Sequence, residues 1–248
     1  MTTKPSVIDS VRALTEPIGD VGGMWMLHPE VLGPCRDAGY PNGYAYYIAG
    51  RGGVLGDVDA DVVTSAFGFF DPALVRKMWE SGIAVEGARA AGARYAAACA
   101  QFGRTRLQGF GAAGRLAELA GKVADGVDCT GLALFAAWRA EPRPDDAEAR
   151  AFLLMHVLRE LRGSVHIIAV VASGLHPRDA VLASGGAPHG KQFGWPEPYP
   201  EVQRTAKAAA EALTDTVLAG LYAAVLDADE AAELVSLVTS LRALVGGH

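Results

Sequence analysis

His156-Val-Leu-Arg159-Glu160-Leu-Arg162-Gly163-Ser164-Val-His166-Ile-Ile168 is the stretch on which the fold turns. At roughly 100° per residue, with Arg159 at zero, His166 falls near −20°, Gly163 near +40°, His156 near +60° and Arg162 near −60°. Leu154, Val157, Leu158, Leu161, Val165 and Ile168 fill most other directions, and a helix apolar around most of its circumference is a buried one. Its polar arc must be satisfied, because an unpaired buried charge is very costly. Two readings follow. Either Arg159 and Glu160 belong to an internal ion network with a core histidine, or Arg159 and His166 line a pocket.

Outward from this helix, apolar residues recur three and four apart almost everywhere, and sustained two-residue alternation is absent. Alanine, the strongest helix former, is abundant. The pattern predicts an all-α protein with helices over 5–15, 29–38, 42–51, 59–70, 72–81, 84–102, 112–125, 129–139, 145–174, 177–184, 199–226 and 228–245. Asp59, Asp71-Pro72 and either Asp227 or Asp229 supply start signals. Glu141-Pro142-Arg143-Pro144-Asp145-Asp146 is polar and proline-interrupted. It divides the chain into helical halves, 1–140 and 145–248, which fold separately or as one. A second irregular stretch, Ser184 to Pro200, carries Phe193, Trp195 and Tyr199 among glycines and prolines and reads as a lid, a binding loop or a pinned crossing. Leu27-His28-Pro29 and Leu175-His176-Pro177 echo each other before short helices.

Composition narrows the function classes. The chain has 248 residues, half of them hydrophobic and 20% charged, which is globular rather than disordered. A net charge of −6 argues against a surface built mainly to grip phosphate backbones, so nucleic acid is not an expected partner. Cys35, Cys99 and Cys129 are scattered and odd in number, which suits a reducing cytosol. No signal peptide is evident and no apolar run reaches the length of a membrane span. A cytoplasmic protein without membrane association is expected. The histidines show no metal-ligand spacing and no serine sits in a nucleophile elbow. One histidine suffices as an axial haem ligand, so His166 in its apolar setting keeps haem open as a cofactor.

A second polar face lies in Asn42-Gly-Tyr44-Ala-Tyr46-Tyr47-Ile-Ala-Gly50-Arg51-Gly52-Gly53. Tyr44, Tyr47 and Arg51 follow at i, i+3 and i+7, a combination able to bind an aromatic or anionic small molecule. The glycines most simply end the helix. Phe67-Gly68-Phe69-Phe70 and Met24-Trp25-Met26-Leu27-His28 read either as core or as pocket wall, with Trp25, His28, Phe67 and Phe70 the candidate ligand contacts.

Ala49-Gly50-Arg51-Gly52-Gly53-Val54-Leu55-Gly56, Asp61-Val62-Val63 through Phe67-Gly68-Phe69-Phe70-Asp71-Pro72 to Trp79, and Leu158-Arg159-Glu160-Leu161-Arg162-Gly163-Ser164-Val165-His166 resemble the actinobacterial EvbL/SalK-type family. Its members are described as helix-turn-helix proteins and occur among natural-product gene clusters. The resemblance implies a C-terminal half of winged-helix type, with a helix-turn-helix, a hairpin wing and a long dimerisation-like helix. Between Ser184 and Tyr199 this chain has neither an amphipathic recognition helix nor alternating wing strands, so that half reads as a degenerate winged helix.

Together these readings favour a metabolite-binding protein of secondary metabolism with an internal apolar pocket. The ligand set is Trp25, His28, Tyr44, Tyr47, Arg51, Phe67, Phe70, His156, Arg159 and His166. An enzyme using His166 as acid/base and Arg159 to orient an anion, cofactor-free or haem-dependent, is an alternative. A winged-helix-derived regulator is another. The alanine- and leucine-rich helices near 199–226 and 228–245 suit a homodimer interface.

Overall fold

The structure, a computed structural model, describes residues 6–202 and 204–246. Among them are twelve α-helices, one short 3-10 turn and no strand. The chain is all-helical, as its periodicity requires.

The buried helix read from the sequence is the axis of the molecule. α9 (Ala147–Ala172) starts at an Asp146 cap whose side chain accepts from Ala149 N, and it buries residues on all sides. α1 (Val7–Gly23), α6 (Ala88–Arg106), α7 (Ala113–Gly126), α8 (Ala133–Arg139) and α11 (Arg204–Ala223) pack around it. A second layer sets α3 (Gly43–Gly53) against α6 and α5 (Pro72–Glu86), with α4 (Ala60–Phe67) on α5. α12 (Ala228–Val245) closes against α1 and α7, and the short α2 (Pro29–Leu32) enters α3 through the 3-10 turn. One apolar core runs from Val11 to Val245, drawing residues from both sides of the Glu141–Asp146 stretch.

α1 continues past Pro17, where the sequence predicts an end. A mid-helix proline costs about 3 kcal/mol. Ile18 and Val21 extend the buried stripe beyond it, and burying each is worth about 1.5–3 kcal/mol. Packing therefore outweighs the local penalty.

Gly50 and Gly52 lie inside α3, and Gly53 is its last residue, so the helix ends among these glycines as expected. A Cβ on Gly53 would stand 2.2 Å from Ala88 O, and one on Gly50 would stand 2.5 Å from the Tyr95 ring. Gly50 and Gly53 also let α3 and α6 cross at backbone distance.

α10 (Pro177–Gln192) corrects the reading of 184–200 as wholly irregular. Helix resumes after a kink at Gly185 (φ −145°, ψ 15°) and Gly186 (φ 61°, ψ −153°). Gly186 adopts the positive φ that glycine tolerates best, so the chain bends there and then recovers helical geometry. The Leu-His-Pro echo has a physical basis. His28 Nδ1 accepts from Glu30 N at 3.2 Å and His176 Nδ1 accepts from Arg178 N at 3.1 Å, each capping a helix whose first residue is proline.

Candidate functional site

A cavity of about 630 Å³ lies beside the middle of α9. α9 gives it Arg159, Glu160, Arg162, Gly163, Ser164, His166 and Ile167, and α3 adds Tyr47 and Arg51. The end of α4 and the turn after it add Ala66, Phe67, Phe69 and Phe70. The α1–α2 passage adds Met24, Met26, Leu27 and His28, and Gln192 and Phe193 close one side. This size and this mixture of apolar wall with a few polar groups are typical of small-molecule sites.

Its charged wall is built around one fully buried carboxylate. Arg51 grips Glu160 with two bonds, Nε to Oε1 and Nη2 to Oε2, both 2.8 Å. Arg51 Nη1 donates to the Tyr47 hydroxyl at 3.0 Å, and the guanidinium carbon sits 4.4 Å from the centre of the Phe67 ring. Arg159 Nη1 shares Glu160 Oε1 at 2.8 Å. Burial pushes the Glu160 carboxyl up, but Arg51 and then Arg159 more than offset this and hold it well below the usual carboxylate range. Burial alone would lower Arg51; Glu160 and Tyr47 raise it above its ordinary value. Two guanidiniums around one carboxylate leave a positive charge on this wall. Arg159 carries it, with a side chain 26% exposed while Glu160 is 0% exposed.

Behind Glu160 lies His156, fully buried between Trp25 and Trp138. Its Nδ1 donates to Gly22 O at 3.1 Å, since a carbonyl only accepts. Nε2 is left without a hydrogen-bond partner, 3.5 Å from Glu160 Oε1. Burial pushes this imidazole down to about 4 despite the nearby carboxylate. It is neutral near pH 7.

About two turns beyond Arg159 along α9, and on the same side, His166 Nδ1 meets Thr214 Oγ1 at 2.9 Å. Thr214 gives its own proton to Ala210 O at 2.7 Å, so the imidazole is the donor and Nε2 is bare in the neutral ring. Burial lowers His166, with Glu211 opposing and Arg162 and Lys207 reinforcing the shift. Glu211 Oε1 stands 3.6 Å from Nε2 and Oε2 accepts from Arg162 Nη2 at 2.8 Å. That carboxylate occupies the neighbourhood a haem iron on Nε2 would need, so the residues around His166 fit haem poorly.

Seven residues singled out in the sequence line this cavity: His28, Tyr47, Arg51, Phe67, Phe70, Arg159 and His166. Three do not. Trp25 is 0% exposed, packed on Tyr95, and donates from Nε1 to Gly22 O at 3.1 Å. His156 supports the wall from behind. Tyr44 instead donates its hydroxyl to Gln192 O at 3.1 Å, fastening the end of α10. Two further bonds hold the same segment: Asp71 N to Phe193 O at 2.9 Å, and Trp195 Nε1 to Phe69 O at 2.8 Å. Phe69, Met24, Met26 and Phe193 lie in stretches the sequence offered as pocket wall or binding loop but were not singled out as contacts, and Ile167 carries no pattern beyond being apolar. Arg162 was legible as part of the polar arc of α9. A smaller cleft of about 300 Å³ near Glu30 and Arg94 is less suited to a charged ligand, because Arg94 is already held by Glu86 through two bonds.

A family model described as a helix-turn-helix family matches residues 10–247. The chain belongs to this helix-turn-helix family. No curated protein and no solved structure matches it. In this family member, α9 and α10 meet at 111° across a short turn, and Gly174 in that turn has φ 69°. An angle of this size with glycine in the turn is the usual form of a helix-turn-helix pair. No single helix among the described residues is long and apolar enough to cross a membrane.

Proposed function

We propose that the protein binds a small molecule in the cavity beside α9. The observation that carries this reading is the cavity itself: about 630 Å³, walled largely by aromatic and aliphatic side chains, with guanidiniums reaching it from α3 and α9. The EvbL/SalK resemblance adds that the ligand belongs to secondary metabolism. Gly163 offers a direct test. It lines the cavity, and an added Cβ there meets nothing within 4 Å. Gly163→Leu should therefore narrow the cavity and gain up to about 1 kcal/mol of helix propensity. Native mass spectrometry of protein purified from its host is expected to show a retained small molecule in the natural chain and much less of it in Gly163→Leu. Undiminished retention of the same molecule by a well-folded Gly163→Leu would refute the assignment.

A second reading, binding of nucleic acid through α10, is favoured by the family membership and the α9–α10 geometry. It sits less well with the net charge of −6 and with a helix broken at Gly185 and Gly186. A gel shift with the protein's own upstream DNA across a salt series tests it. Submicromolar, sequence-specific binding at physiological salt would establish it. The homodimer expected from the last two helices would use Leu213 and Val217 of α11, which stay exposed while Leu218, Tyr222, Leu234 and Val238 pack inward. Sedimentation velocity of the natural chain against Val217→Glu reports it.

A further inference from the structure

Resting on that cavity reading, we infer that the ligand is a hydrophobic anion whose charged group pairs with Arg159 and accepts from the Tyr47 hydroxyl. Three observations lead here. The first is charge. Arg51, Arg159 and Arg162 all line the cavity, whereas the carboxylates that hold them are only Glu160 and Glu211. One positive charge is unmatched, and Lys207, 4.0 Å from Glu211, adds to the excess.

The second is unused donors. Arg159 spends only Nη1 on the protein; Nε and Nη2 have no acceptor among the described residues. Tyr47 is 3% exposed and accepts from Arg51, yet its own proton has no acceptor among them either. Arg51 and Glu160 link the two groups into one hydrogen-bonded chain, which fixes both on the cavity wall. A carboxylate, sulfonate or phosphate monoester offers several acceptors to such donors.

The third is the setting. Phe67, Phe70, Phe193 and Met26 face the same space, and among apolar walls a charge pair is worth far more than in water. A cation would be repelled, and a neutral molecule would leave the charge of Arg159 unanswered. An apolar body with one anionic group satisfies both parts of the wall.

The test uses two fluorescent probes of one shape. 8-Anilino-1-naphthalenesulfonate carries the anion, and N-phenyl-1-naphthylamine is the same aromatic body without it. In fluorescence titrations the sulfonate is expected to bind the natural protein at least about tenfold more tightly than the neutral probe, as a charged hydrogen-bonded contact requires. Arg159→Gln should erase that advantage, with circular dichroism and a thermal melt showing that the variant is folded. Arg159→Lys should retain part of the advantage, and Tyr47→Phe should lose part. Gly163→Leu should weaken the binding of both probes. If the neutral probe binds, and more weakly in Gly163→Leu, but the sulfonate gains nothing or keeps its gain in Arg159→Gln, the anion assignment is overturned and the cavity reading stands. If neither probe binds, or Gly163→Leu weakens neither, the cavity reading fails and this inference fails with it.

Discussion

Replacing Glu160 by glutamine removes one charge and almost no volume, at a site where that charge holds two others. In the natural protein Arg51, 5% exposed, meets the carboxylate through two 2.8 Å bonds. Glutamine can accept at one atom but presents an amide N–H₂ at the other, so at least one Arg51 donor faces a donor. The guanidinium cannot lose its proton to escape. Breaking a buried pair from one side costs about 3–5 kcal/mol, and both partners here are buried enough for the full range to apply. At a urea dependence of about 3 kcal/mol/M the unfolding midpoint should fall by about 1–1.7 M. Adding Arg51→Met removes the stranded charge, so Glu160→Gln with Arg51→Met should cost less than either single change. Equilibrium urea unfolding, followed by circular dichroism and by tryptophan fluorescence, measures all three. The reasoning is refuted if Glu160→Gln costs under about 1 kcal/mol, or if the double variant costs as much as the two single changes added.

His156 makes stability depend on acid. The unfolded imidazole takes its proton near 6.5 and the folded one near 4, so the unfolded chain binds more protons between those values and stability falls as pH drops through that window. The gap is worth about 3 kcal/mol, and His156→Asn, which can still donate to Gly22 O, should flatten the profile of stability against pH by about that amount. Gly22→Ala and Gly23→Ala should behave oppositely. A Cβ at Gly22 would lie 2.6 Å from Met155 O and force α1 away from α9, costing about 1–3 kcal/mol, whereas at Gly23 the nearest atoms are 3.7 Å away and thermal melts should show no loss. Trp195→Phe removes the 2.8 Å bond to Phe69 O, and hydrogen exchange should then quicken at Phe193–Trp195 with little change in α9.

The central helix was legible because three-and-four spacing records burial directly, and α9 needed nothing else. Its polar arc was legible for the same reason: Arg159 and His166 stand out when every neighbouring direction is apolar. Tyr47 and Arg51 were visible as a face of α3 and Glu160 as part of an ion network, though not that Arg51 is the residue that grips it, because a contact between residues 109 apart leaves no local mark. Glycine was half-legible for a related cause. In sequence, Gly50 and Gly53 look like a helix end, and only the presence of α6 at backbone distance shows that they are also spacers. Trp25 and Tyr44 carried the right chemistry for a binding site, but tertiary packing sent the first into the core and the second to Gln192.

The arginines of this site do different work, and burial sorts them. Arg51 has all three kinds of guanidinium donor engaged, is nearly closed off, and ties α3 to α9; a ligand has little left to ask of it. Arg159 sits one residue before the same carboxylate, spends one donor on it, and keeps a quarter of its side chain open. Because Arg51 already neutralises Glu160, the second guanidinium adds less to folding than its 2.8 Å bond implies, and it brings a charge that the protein itself does not match. Arg159→Gln should therefore lower stability far less than Glu160→Gln does, although both lose a bond of the same length. The charge that folding leaves over is the one available to a ligand.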